Sequence, residues 1–166
     1  MVGLIVNLLK KYDVEPKWIA VEITERDIAQ TAAAFKQQIK ALRRHGIQVW
    51  VDDFGSGYSA LNVLNQYEFD LLKLDMQFLR QLEEHHGANR VIIKSIVRAA
   101  HELGVQTLTE GVETMAHHQF LQEVGCDKEQ GYYFAKPRPM EESLREDMGL
   151  LRETEEEAQQ YNARFS

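Results

Sequence analysis

Two adjacent aspartates, Asp52 and Asp53, follow an apolar run in "WVDDFGSGYSAL" (50–61) and lead into a loop that carries Gly55 and Gly57. Like charges side by side repel, so the pair calls for a counter-charge. Other carboxylates stand in comparable places: Glu22 and Glu25 near the end of "WIAVEI", Glu110 and Glu113 at and beyond the end of "VQTLTEG", with Lys73 inside "DLLKLD". An oxygen-only set suits Mg²⁺ or Mn²⁺ rather than zinc. An adjacent aspartate pair can reach two ions, the arrangement that activates water and steadies the leaving oxygen in phosphoester cleavage. Lys73 adds one fixed cation to orient the nucleophile or a phosphate oxygen. Any single carboxylate reads equally well as a cap on the next helix, and a strand-end lysine can simply snorkel. Only their convergence on one rim favours divalent cations.

Convergence depends on the elements between them. Leu4, Ile5, Leu8, Leu9 and Tyr12 recur at helical spacing, and "WIAVEI" (18–23) is a β-rich run. Ile28, Phe35, Ile39 and Leu42 form a second stripe, closed by Gly46 before "IQVWVDD". A short helix near Leu61 and Leu64 leads to "DLLKLD". A helix with Val91, Ile92, Ile96, Ala99 and Leu103 ends at Gly104, and a last one around Phe120, Leu121 and Val124 ends at Gly125 before "QGYYFA". Five strands alternating with helices predict a parallel α/β sheet, whose sites lie at the carboxyl ends of the strands. The polar strand residues fall there.

Composition narrows the function. The 166 residues are 44% hydrophobic and 27% charged, ordinary for one globular domain. A formal charge of -7 disfavours DNA or RNA duplexes as partners. Cys126 is the only cysteine, which excludes an intrachain disulfide and a multi-thiolate zinc site and predicts a reducing, cytoplasmic setting. The apolar start breaks into charge too early for a membrane span and lacks a signal-peptide pattern. The Glu-rich segment 141–166 predicts a solvated helix or tail.

Three lookalikes fail. "DFG" (53–55) lacks the other protein-kinase motifs. A phosphoacceptor receiver domain would place a further strand between the aspartate pair and the lysine. His85-His86 and His117-His118 are adjacent pairs, which a helix splays apart, so they are expected to face solvent.

In order along the chain, "VEITE", "DDFGSGYSAL", "LLKLD", "TEGVET" and "GCDKEQGYYFAKP" resemble the successive motifs of the EAL family of cyclic di-GMP phosphodiesterases. The resemblance covers roughly residues 1–140 and implies a TIM-type (β/α) barrel that uses Mg²⁺ or Mn²⁺ to hydrolyse cyclic di-GMP to linear pGpG. It implies metal ligation by Glu22, Asp52 and Asp53, catalytic roles for Lys73 and Glu110, and substrate contacts from Glu113 and Gln130. It further implies that Glu25 steadies the loop Gly55 to Ser59, where Ser56 stands in place of a frequent Thr.

The Glu of the Glu-Ala-Leu signature and a metal-binding Asn of that family do not occur here. Asn7 lies only 15 residues before Glu22, too close for a strand-helix-strand repeat of about 30 or more. The expectation is therefore a partial barrel of about five strands, inactive by itself, that covers its open edges as a homo-oligomer and answers to an upstream or partner sensory domain. The alternative is a degenerate domain that binds cyclic di-GMP or a protein without hydrolysis.

Overall fold

The computed structural model describes residues 1–24, 27, 33–55, 64, 67–80, 82 and 87–141. Chain contacts divide it into two units, Met1–Phe134 and Ala135–Ser166, and every described strand lies in the first. Glu25, Ile28, Ser56 to Ser59, Leu61, His85, His86 and most of the acidic segment 141–166 lie outside the described residues.

Five strands, β1 (Ala20–Thr24), β2 (Gln48–Phe54), β3 (Leu71–Leu74), β4 (Gln106–Glu110) and β5 (Lys128–Gln130), pair in sequence order, all parallel. The helices are α1 (Val2–Lys11), α2 (Ala33–Arg44), the short α3 (Gln77–Arg80), α4 (Ala88–Glu102) and α5 (Met115–Val124). A 3-10 turn, Pro16–Trp18, leads into β1. Alternation along each strand sorts side chains to two faces. Ile23, Val49, Val51, Leu72 and Leu74 join the core with Ile39 and Leu42 of α2, Ile93 and Val97 of α4, and Phe120 and Leu121 of α5. Leu71 and Leu108 are buried outside that cluster, on the face that also carries Glu22, Trp50, Asp52, Lys73 and Glu110. The result is a partial TIM-type barrel, with helices on one side and the acidic residues on the other.

The amino ends of the strands repeat one device. Asp70, just before β3, accepts from the Val49 N–H (2.8 Å) and from Arg43 at the end of α2 (Nε 3.1 Å). Asp127, just before β5, accepts from the Thr107 N–H (2.8 Å), the Thr107 hydroxyl (2.9 Å) and His101 Nε2 at the end of α4 (2.9 Å). Each aspartate thus ties a neighbouring strand to the helix that precedes it. Burial pushes the Asp127 carboxyl up, but the Thr107 and His101 contacts outweigh it and hold the group below its ordinary value.

Three expectations need correction. On α4 the buried face is Asn89, Ile93, Val97 and Ala100, while Val91, Ile92 and Leu103 are exposed. On α1 Leu9 is buried and Val2, Ile5 and Val6 pack beneath it, leaving Leu4, Leu8 and Tyr12 exposed. Both helices carry two apolar stripes, and packing selects one. The last strand ends at Gln130 instead of running through "QGYYFA", because Gly131 lies so close to the Val112 backbone that a Cβ would collide with it. Val112 N–H donates to Gln130 O (3.1 Å) and Tyr133 N–H to Val112 O (2.9 Å), which turns the chain there.

Candidate functional site

Glu22, Asp52, Lys73 and Glu110 come from four neighbouring strands, on the face away from the helices. Lys73 stands at their centre, 7% exposed. Its Nζ lies 3.1 Å from Glu22 Oε2, 2.9 Å from Asp52 Oδ1 and 3.0 Å from Glu110 Oε1. Burial opposes the ammonium charge, yet the contacts with Asp52, Glu110 and Glu22 outweigh burial and raise the lysine pKa above its ordinary value. Lys73 is therefore a permanent cation near neutrality, fitted for electrostatic work rather than for accepting a proton.

Asp53 does something different. The β2–β3 register slips between Val51 and Phe54, and Asp53 adopts a left-handed φ of 53°, so the second carboxylate is exposed while the first meets Lys73. Its pKa is raised by partial burial, then by repulsion from Asp52 and Asp75, against a smaller opposing effect of Lys73. Left-handed backbone is costly for a residue with a side chain, and such strain concentrates at sites.

Glu110 also borders a pocket of about 290 Å³ shared with Glu113 and Gln130, bringing those expected substrate-binding residues beside Lys73. Met76, Arg80 and Tyr132 line it too, and the sequence reading passed over all three. The usable signal was position: each follows the carboxyl end of a strand, where barrel sites are built. Two glycines hold the pocket floor. A Cβ at Gly111 would run into Met76, and one at Gly131 into Val112.

Neither His117 nor His118 faces solvent as expected, since packing at the start of α5 leaves both half-buried. His118 Nδ1 meets Glu129 Oε2 at 2.9 Å and its ring stacks on Tyr133, so it is half-buried instead of facing solvent. His117 lies near the Glu113 N–H. Another cavity, about 480 Å³, lies at the opposite ends of the strands between Arg43, Arg44 and Asp70. Its Arg43 is already engaged by Asp70 and Glu68, which suits a stabilising rim better than chemistry.

Whether these residues suit a metal can be judged from the donors. Among the described residues, no three His, Cys, Asp or Glu side chains come together closely enough to hold an ion. The donors are all oxygens, however, and Asp52 Oδ1 is buried with the Lys73 ammonium 2.9 Å away. Mg²⁺ commonly takes one or two carboxylates and keeps several waters. Glu22 and Asp52 fit that mode.

Fold and rim together define a partial (β/α) barrel with its site at the carboxyl ends of parallel strands. The EAL domain model matches residues 1–137, and the chain belongs to that family. It is 33% identical over 144 residues to the bifunctional diguanylate cyclase/cyclic di-GMP phosphodiesterase MucR of Pseudomonas aeruginosa, covering 87% of this chain and 21% of MucR. It is 34% identical over 137 residues to the cyclic di-GMP phosphodiesterase RocR of the same organism, covering 82% of this chain and 35% of RocR. The manganese/cy-diGMP complex of Klebsiella pneumoniae BlrP1 superimposes with a TM-score of 0.75 at 34% identity, over 82% of this chain and 34% of BlrP1. The chain thus spans about a fifth to a third of the length of these relatives.

Proposed function

We propose that this chain is the site-bearing part of a metal-dependent, cytoplasmic cyclic di-GMP phosphodiesterase whose domain occupies residues 1–140. The observation that carries this reading is a protonated lysine held by carboxylates from three other strands at the rim of a parallel barrel sheet. Family membership and relatives described as cyclic di-GMP phosphodiesterases support it.

In this reading Glu22, Asp52 and Asp53 hold Mg²⁺ or Mn²⁺, which supplies Lewis acidity and eases deprotonation of water when bound. Lys73 stabilises charge on the phosphoryl oxygens and orients the incoming water through its ammonium group, which stands among Glu22, Asp52 and Glu110. Glu110 keeps Lys73 in place and faces the pocket, where Glu113 and Gln130 hold the nucleotide. Water adds to phosphorus, one phosphodiester P–O bond breaks, and a proton passes to the departing ribose oxygen, leaving linear pGpG. Among the described residues no helix is long and apolar enough to cross a membrane.

A second reading, a receptor that binds cyclic di-GMP without hydrolysis, is favoured by the absence of a three-ligand metal cage among the described residues. Misplacing reacting groups by about 1 Å can cost on the order of 100-fold in rate. The 166-residue chain is therefore expected to hydrolyse cyclic di-GMP negligibly with Mg²⁺ or Mn²⁺. The same chain extended upstream by a barrel segment with a Glu-x-Leu strand is expected to turn over, and Lys73→Ala to abolish that turnover. An extended chain that binds the nucleotide but stays inert would establish the receptor.

A further inference from the structure

We infer that His118 is a positioning residue for the pocket beside Lys73: by pairing with Glu129 it clamps the turn after β5 and so fixes where Gln130 stands relative to Glu113. The inference rests on the reading of that pocket as part of a cyclic di-GMP site and adds what holds it in shape. β5 is the weak point. It has only three residues and, among the described residues, one strand neighbour, and such elements open most readily. Yet it carries Gln130, level with Glu110 on β4.

Adjacent strand residues point to opposite faces, so Gln130 turns to the pocket and Glu129 toward α5. The Glu129 side chain is 6% exposed, and a carboxylate so buried needs partners. α5 supplies both of them. Gln122 Nε2 donates to Glu129 Oε1 (2.9 Å), and His118 Nδ1 stands 2.9 Å from Oε2. An ionised carboxylate only accepts, so in this contact Nδ1 carries the hydrogen. Residues four apart on a helix share a face, so the two donors fix both the place and the tilt of the strand against α5.

The grip continues past the strand. The His118 ring stacks on Tyr133, with centroids 5.4 Å apart and 23° between planes, and meets Phe134 edge-on at 5.8 Å. One turn earlier on α5, Met115 Sδ accepts from the Tyr133 hydroxyl (3.2 Å). Met115, His118 and Gln122 thus form one stripe that holds the chain from Glu129 to Phe134. The turn passes this hold to the other side of the pocket. Gln130 O accepts from the Val112 N–H (3.1 Å) and the Tyr133 N–H donates to Val112 O (2.9 Å), so the residue next to Glu113 is held from both ends. His118 does not line the pocket, and it acts there only through these contacts.

The experiment compares the 166-residue chain with His118→Leu, which removes the donor, and His118→Asn, whose amide can replace Nδ1. Amide exchange by NMR is read at Val112 and Tyr133, with Val49 as a distant control, and cyclic di-GMP affinity is read by isothermal titration. His118→Leu should speed exchange at Val112 and Tyr133 by about tenfold or more and leave Val49 unchanged, since a hydrogen bond to a charged group is lost locally. It should also weaken cyclic di-GMP binding by roughly 3- to 30-fold, because the pocket is no longer preorganised. His118→Asn should recover most of both. Where His118→Leu does not fold, Glu129→Gln makes the same test, because an amide oxygen replaces a carboxylate that served two donors. Equal acceleration at all three amides would make His118 a general stabiliser and overturn the inference. Selective acceleration with unchanged affinity would overturn it as well, as would failure of His118→Asn to recover, which would shift the role to ring stacking. If the unmodified chain binds no cyclic di-GMP, the proposed function falls, while selective exchange still upholds the clamp.

Discussion

Lys73 is the point at which the rim's charges balance. Replacing it with methionine keeps the bulk but leaves Glu22, Asp52 and Glu110 facing one another with no cation between them. Because the carboxylates are partly solvated, the expected loss is about 1–3 kcal/mol, below that for a fully buried pair. Urea unfolding of Lys73→Met at pH 7 measures it, and an unchanged midpoint would show that solvent already screens the cluster. The four residues of the rim were legible in the sequence because strand alternation and strand-end position are both visible there. The divergence of Asp53 from Asp52 was not, since a bulge and a left-handed φ separate the two in a way that adjacency alone conceals. Arg80, which closes a single-turn helix, and Tyr132, on the turn after β5, were not legible because segments so short show no periodicity to mark which side chains face a pocket.

At the level of elements, the strands and helices were readable from periodicity, but which stripe of α1 or α4 faces inward was not. Val91 and Ile92 are as apolar as Ile93 and Val97, and only the sheet beneath chooses between them. The aspartate ties at the amino ends of β3 and β5 were also invisible, since each joins residues some 20 positions or more apart. Asp127→Ala should cost about 1–3 kcal/mol by leaving the Thr107 N–H and hydroxyl without their acceptor. A depressed carboxyl pKa in the folded state gives stability that is present above the unfolded value, 3.8, and fades as pH falls through the lower folded one. Thermal melts of both forms should therefore differ at pH 6 and converge as the solution is acidified below about pH 4. A constant gap across that range would mean that the aspartate acts by shape and not by charge.

For the whole molecule, the sheet has two edges with no strand partner among the described residues. The Gln48 N–H donates to Ile19 O (3.1 Å), which fixes the parity of the ladder. Val21 and Ile23 then direct their main-chain groups toward β2, while Ala20, Glu22 and Thr24 direct theirs outward. Unpaired edges invite pairing, so self-association is expected. Light scattering at micromolar concentration tests it, and a monodisperse monomer would contradict it. Symmetry decides what kind of assembly can form. All five strands run the same way, so joining β1 of one copy to β5 of the next keeps the sheet parallel but uses two different surfaces. That joint is head-to-tail, and it either curls into a ring or keeps adding copies. Joining β1 to β1 about a two-fold axis is self-limiting, but with the axis at mid-strand it sets Glu22 against its own copy, which like charge disfavours. Sedimentation velocity should accordingly show a mass distribution that broadens and climbs with concentration instead of stopping at two.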